Sequence, residues 1–222
     1  WFITAANGTT VAKVGLIDPA TWSDAAPSAK WFALPQGELI RNTFAVTKSG
    51  EERASAYVVS SENMYRIDAG ADDQPYLVWS APYDTIGTTK NGQYELGSGT
   101  SPTILGGGDY VAITDNANPM KVVVYRTGEN VAPTHRVICQ VPVFLSQPGQ
   151  ALSNSLIGSG LALIASNNYN YLWDWQHGKT VYPSAPGFAR IDIDPGGQRC
   201  NTIWTSYDVA TTTSPRLSTK NG

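Results

Sequence analysis

An internal repeat constrains this chain more than any other feature. Tyr65-Arg-Ile-Asp68, followed by Val78-Trp-Ser and Tyr83-Asp84, returns as Ala189-Arg-Ile-Asp192, followed by Ile203-Trp-Thr and Tyr207-Asp208. The two copies span two units, and the segments that lead successive units align. They are Asn42-Thr-Phe-Ala, Ser101-Pro-Thr-Ile, Asn154-Ser-Leu-Ile and Ser214-Pro-Arg-Leu, spaced by 59, 53 and 60 residues. Self-similarity of this kind marks an architecture in which each unit buries its apolar surface against its neighbours.

No segment carries sustained 3.6-residue periodicity. Short β-rich runs cut by glycine and proline recur instead, four to a unit. The first set is Thr43–Thr47, Ala56–Ser60, Met64–Asp68 and Tyr76–Ser80. The second is Thr103–Leu105, Tyr110–Thr114, Lys121–Arg126 and Arg136–Phe144, and the third is Leu156–Gly158, Ala162–Ala165, Gly187–Asp192 and Thr202–Ser206. Four strands in about 50–60 residues predict an all-β fold, a β-propeller of four-stranded antiparallel blades. Trp1–Thr4, Val11–Asp18 and Lys30–Leu34 read as the second to fourth strands of a further blade, whose leading strand is missing unless Ser214–Thr219 supplies it. About four blades result, over 1–38, 40–84, 96–145 and 150–208, with 210–222 starting or closing a blade. The chain is then either one propeller domain closed by strands from both ends or part of a larger propeller. A β-sandwich is the rival fold, although its strands need not repeat in fours.

Charge and composition exclude some roles. Fifteen Lys and Arg against 18 Asp and Glu give a net charge of −3 without a basic run, which argues against nucleic acid as a partner. No apolar run approaches the roughly 18 residues of a membrane span. Low charge and an Asn/Thr/Gly-rich surface chemistry fit an exported protein, secreted or periplasmic. Cys139 and Cys200 permit one disulfide or two buried thiols.

Propeller geometry turns the repeat into a site expectation. Inner-strand starts and second-to-third turns open on the same face. Asn42, Ser101, Asn154 and Ser214 would ring the central channel, beside the turns at 60–63, 114–118 and 166–170. Asn carbonyls with one or two carboxylates, of which Asp115 and Glu62 are the nearest, suit a hard cation such as calcium. The same residue types also favour tight turns without any ligand. The stretch 167–186 lengthens one second-to-third connection. Its Tyr169, Tyr171, Trp173 and Trp175 form a candidate platform for a sugar ring or flat ligand, or the anchor of a protein interface. Trp79 and Trp204 read as blade-packing residues.

Ile67-Asp68-Ala-Gly70 followed by Val78-Trp79, and Ile191-Asp192 followed by Ile203-Trp204, resemble blade motifs of the quinoprotein-like and six-bladed lactonase-like propeller families. The resemblance covers most of residues 40–210. It implies calcium at the channel mouth, held by the candidate metal ligands Asn42, Asp115, Asn116 and Asn154, with lactonase-like hydrolysis, or a quinone-dependent oxidoreductase. In the hydrolytic reading Asp115 is the candidate base. Three functions stay open: a small molecule or glycan bound around calcium, a non-catalytic scaffold whose aromatic loop docks a partner protein, and, as the resemblance implies, quinone chemistry. Fold alone does not choose among them.

Overall fold

A computed structural model describes residues 1–4, 11–17, 29–47, 54–94, 96–147, 149–174, 176–211 and 215–218. Its strands follow one another into antiparallel sheets. Blade I holds β1 (Phe2–Thr4), β2 (Lys13–Leu16) and β3 (Lys30–Ala33). Blade II holds β4 (Ala45–Thr47), β5 (Ser55–Val59), β6 (Asn63–Ala69) and β7 (Pro75–Pro82), in that spatial order. Blade III repeats the pattern with β8 (Thr103–Leu105), β9 (Tyr110–Thr114), β10 (Lys121–Arg126) and, after a short helical turn α1 (Pro133–Arg136), β11 (Val137–Pro142). In blade IV, β12 (Leu156–Ser159) and β13 (Ala162–Ser166) are followed by a separate hairpin, β14 (Leu172–Asp174) and β15 (Lys179–Tyr182). The sheet then resumes with β16 (Phe188–Ile193) and β17 (Cys200–Ser206). Four-stranded antiparallel blades in series make this a β-propeller. Residues 215–218 are not in a strand, and Ser214 lies outside the described residues. Among the described residues no helix is long and apolar enough to cross a membrane.

The apolar cores lie between blades, and the two-residue period of a strand explains how one strand serves two of them. In β5, Ala56 and Val58 join Val14, Leu34 and Ile67 in the core between blades I and II. Its alternate residues Tyr57 and Val59 join Met64, Trp79, Ile113 and Tyr125 in the core between blades II and III. In β10, Val123 and Tyr125 face blade II. Val122 and Val124 face Leu163, Ala165 and Ile191 of blade IV. Strands buried on both sides must be nearly continuous apolar runs, as β5 and the Val-Val-Val of β10 are.

The blades form wedges. At their inner ends Ser101 and Ser155 form a parallel bridge, and the Thr103 hydroxyl donates to the Leu156 carbonyl at 3.1 Å. Gly158 permits this approach, because a Cβ there would lie 2.9 Å from Thr103 Cγ2. At the outer ends the sheets diverge, and each complete blade carries a bulge between its third and fourth strands. The bulges fall at Arg66/Ile67, Val124/Tyr125 and Arg190/Ile191, and they place Trp79, Cys139 and Trp204 at the same position. Trp79 fills the gap between blades II and III. Its Nε1 donates to Thr127 O at 3.1 Å, its ring stacks on Tyr125 at 6.1 Å between centroids, and the Arg136 guanidinium lies 4.6 Å from the ring centroid. Cys139 is disulfide-bonded to Cys200 of blade IV, with 5.9 Å between Cα atoms. Trp204 differs from the packing expected of it and is 41% exposed, because no sheet among the described residues covers it.

Polar side chains at the second-to-third turns fasten the linkers that lead into the inner strands. Leu39 N donates to Ser61 Oγ at 3.2 Å, and Ser61 N returns a bond to Leu39 O at 2.8 Å. Leu152 N donates to Asn167 Oδ1 at 3.2 Å, while Asn168 N returns to Leu152 O at 2.7 Å. In blade III, Thr100 Oγ1 bonds Thr114 Oγ1 and also reaches Ser153 O at 2.7 Å. Asp115 Oδ1 accepts the backbone N–H groups of Ala117 and Lys121 at 3.1 and 2.7 Å. Lys90, in the linker before blade III, ties that blade to the next linker, its Nζ donating to Ala117 O and Ala151 O at 2.6 and 3.1 Å.

Burial pushes the Asp115 carboxyl up to about 6, against the opposing pull of the Lys121 and Ala117 N–H groups and the Lys121 and Lys90 charges. Its Oδ2 has no hydrogen bond, and Lys121 Nζ stands 3.8 Å away. Burial also lowers Lys90 to about 8.

Two outcomes are expected. Replacing Cys139 and Cys200 by serine frees a loop closed across 61 residues, for which chain entropy gives an upper value of about 4 kcal/mol. The urea midpoint should fall accordingly, and an unmoved midpoint would show that the outer seam does not depend on the bond. The folded Asp115 holds its proton more tightly than the unfolded chain, so stability should fall as pH rises from about 4 to about 6. Urea unfolding at both ends of that window should show a shallower fall for Asp115→Asn; an identical slope would assign the dependence to other groups.

Candidate functional site

Because the inner strands start on one face, their first residues converge on a cavity of about 1050 Å³ at the mouth between blades. Asn42 and Thr43, Ser101, and Asn154 with Ser155 form its floor, one group from each of blades II, III and IV. The floor is rigidly bonded. Asn42 Nδ2 donates to Gly99 O, the Thr43 and Ser101 hydroxyls are in contact, and Ser101 N donates to Asn154 O at 3.0 Å. Asn154 N in turn donates to Asn168 Oδ1 at 3.2 Å.

The walls come from two insertions. The β14–β15 hairpin turns Trp173 and Thr180, paired across it, toward the cavity, with Tyr171 at its base. Asp174 holds the hairpin tip: Oδ1 accepts from the backbone of Gln176 and His177 at 2.9 and 3.1 Å, and Oδ2 bonds His177 Nδ1 at 2.6 Å. These bonds, with the His177 side-chain contact the largest, hold the Asp174 carboxyl below its ordinary range. The linker before blade III supplies Gln93, Tyr94 and Leu96. Asn170 N donates to Asn91 O at 2.8 Å, so linker and hairpin base brace one another. A Cβ on Gly92 would meet the backbone of Asn168, Asn170 and Tyr171 at 3.2 Å. Arg41 and Arg216 bring guanidinium groups to the rim.

Of the residues singled out from sequence, Asn42, Ser101, Asn154, Tyr171 and Trp173 meet in this cavity, with Ser60 and Ser61 of the 60–63 turn. Asp115 and Asn116 do not line it. Asn116 Nδ2 donates to Thr88 O at 2.8 Å, and its backbone bridges Thr85 between blades II and III. Asn116 Oδ1 is buried without a hydrogen-bond partner. Tyr169 is in the turn before the hairpin, its N–H on Asn167 Oδ1 at 3.0 Å, and does not line the cavity. Trp175 lies outside the described residues. The four candidate calcium ligands are therefore divided between the cavity and the turn behind it. No carboxylate is among the described lining residues, and no group of three His, Cys, Asp or Glu is placed to hold a metal among them. What the cavity offers is neutral hydrogen-bonding groups, aromatic rings and two guanidinium groups. Sequence reasoning missed Arg41 and Tyr94, which sit in connections without a repeat signal, and Arg216, whose aligned counterparts in the leading segments are not cations.

No family model matches the sequence, and no curated protein matches it. Among solved structures the chain is similar to the β-propeller domain of Cps50 (Swd1) from Myceliophteria thermophila, at 14% identity and a TM-score of 0.42. That similarity covers 87% of this chain and 64% of the other, so the chain spans under two thirds of the length of the structure it matches.

Proposed function

We propose that this propeller is a non-catalytic interaction module whose channel mouth takes an extended segment of a partner protein. The observation that carries this reading is the pairing of a wide, rigidly floored cavity with an apolar hairpin beside it. Trp173 faces the cavity, while the outer side of the hairpin leaves Leu172, Val181 and Tyr182 36%, 43% and 53% exposed. In the linker braced against the hairpin base, Tyr94 and Leu96 are 67% and 46% exposed. Such exposed apolar groups beside hydrogen-bonding amides suit a macromolecular segment, whose backbone the floor pairs and whose side chains the aromatics hold.

A peptide-display selection on the immobilised chain tests this, with a glycan array and a calcium titration run beside it. Selected peptides should bind the unaltered chain, lose at least about tenfold in affinity with Trp173→Ala, and lose less with Asn154→Ala. Glycan binding that depends on Trp173, without selected peptides, would replace the partner segment by a sugar. A calcium-dependent thermal shift abolished by Asn42→Ala together with Asn154→Ala would restore the metal reading.

A further inference from the structure

Away from the cavity, every arginine among the described residues is answered by the chain itself. Arg66 and Arg190 are each held in a fork by the carboxylate two residues on, Asp68 at 2.9 and 2.6 Å and Asp192 at 2.8 Å on each arm. Arg199 Nε stands 3.8 Å from Asp194 Oδ2. Arg126 donates to the carbonyls of His135 and Gly197, both at 2.6 Å, and Arg136 to those of Arg126, Gly128 and Val131 at 2.8, 2.6 and 2.9 Å. Arg216 breaks the pattern. It is exposed at the rim of the cavity and has no hydrogen bond or ion pair among the described residues.

The carboxylates near the mouth show the converse. Glu38 is buried behind Ser60, where Tyr65 donates to its two oxygens at 2.7 and 2.8 Å, Asn63 Nδ2 donates to Oε1 at 3.1 Å and the Ser60 hydroxyl donates to Oε2. Asp115 is turned to the N–H groups of Ala117 and Lys121, and Asp174 to the hairpin tip and His177. Glu62 does not line the cavity, and Glu95 lies outside the described residues. Among the described lining residues the charged groups are therefore the guanidinium groups of Arg41, beside the floor residue Asn42, and of Arg216, beyond blade IV. The sign at the mouth is opposite to the net charge of −3 on the whole chain.

We propose that the segment taken up at the channel mouth is acidic, with carboxylate side chains on Arg41 and Arg216 and an apolar side chain on Trp173. This rests on the partner-segment reading and adds to it the chemistry that selects the partner. A guanidinium presents a planar fork of donors that matches a carboxylate. The amides and hydroxyls of the floor meet backbone groups that every peptide shares, so they hold a segment without choosing it. The charged rim is what favours acidic sequences and disfavours basic ones.

Selection from a displayed peptide library on the immobilised chain tests this, followed by fluorescence anisotropy with a selected peptide as the probe. Selected peptides should carry more Asp and Glu than the library. Changing those residues to Asn and Gln in the probe should weaken its binding at least about tenfold. Arg216→Gln has no described contact within the chain to lose, and it should weaken binding of the acidic probe about threefold, as expected of an exposed ion pair. The same variant should bind the amide version of the probe unchanged. Arg41→Gln together with Arg216→Gln should reach about tenfold, with circular dichroism confirming the fold. Binding of the acidic probe should also weaken as salt rises. Peptides selected without an excess of Asp and Glu, and bound equally by Arg216→Gln, would overturn the inference and leave the partner-segment reading standing. A selection that yields no peptide would overturn both.

Discussion

The close approach of the inner strands governs the rest of this molecule. Ser101 meets Ser155 in a parallel bridge, and the absence of a side chain at Gly158 leaves room for Thr103. Once inner ends touch at that distance, twisted sheets must separate toward the outside. The widening gap has to be filled or stapled, because a void would leave the apolar side chains lining it without contact partners. Blade II fills it with an indole sandwiched between a tyrosine and a guanidinium, and blade III staples it with a disulfide. The bulge aims the same position of each outer strand into the gap, so two different chemistries solve one geometric problem.

The cavity at the mouth is a consequence of the same wedge. Inner strands that converge bring their first residues together, and those residues must connect to linkers arriving from the previous outer strand. The buried bonds of Ser61, Thr100, Asn167 and Asn168 fix those linkers. Each hook satisfies backbone groups that would otherwise be buried unpaired, at a cost of about 1–3 kcal/mol each. The amides and hydroxyls that form the cavity floor are therefore held still by the architecture, which preorganises them for a ligand at little further entropic cost. Lys90 and Asp115 belong to the same layer. Their shifted titration follows from burial, which disfavours the charged form of both.

Sharing cores between neighbours makes each blade depend on two others. The middle strands of blades II and III alternate between two cores, and a sheet of this kind has no polar face. Blade IV departs from that pattern only in what covers it. Leu163, Ala165, Ala189 and Ile191 pack on blade III, while Ile157, Ile164 and Trp204 on the other side retain the residue types of a core without the burial. An indole and two isoleucines on one sheet face leave an apolar patch that the described residues cover only in part.

The sequence by itself determined the propeller. Four short apolar runs per unit, and the repeated Arg-Ile-Asp and Val/Ile-Trp motifs, allow little else, since such strands bury their faces only by stacking on copies of themselves. It also placed Asn42 and Asn154 at one mouth, because inner-strand starts must converge, and it marked the 167–186 stretch as an insertion beside them. Tertiary structure decided the remainder. Asp115 shares its residue type with metal ligands, but its orientation depends on which backbone N–H groups reach it, and those of Ala117 and Lys121 turn it away from the cavity. Cys139 and Cys200 became a bond because the bulge in one outer strand faces the start of another, a relation between strands 61 residues apart that no local pattern encodes. Trp79 and Trp204 have the same motif and the same register, yet one is buried and the other exposed. Local sequence sets where a side chain points, and only the neighbouring sheet decides whether anything is there to meet it.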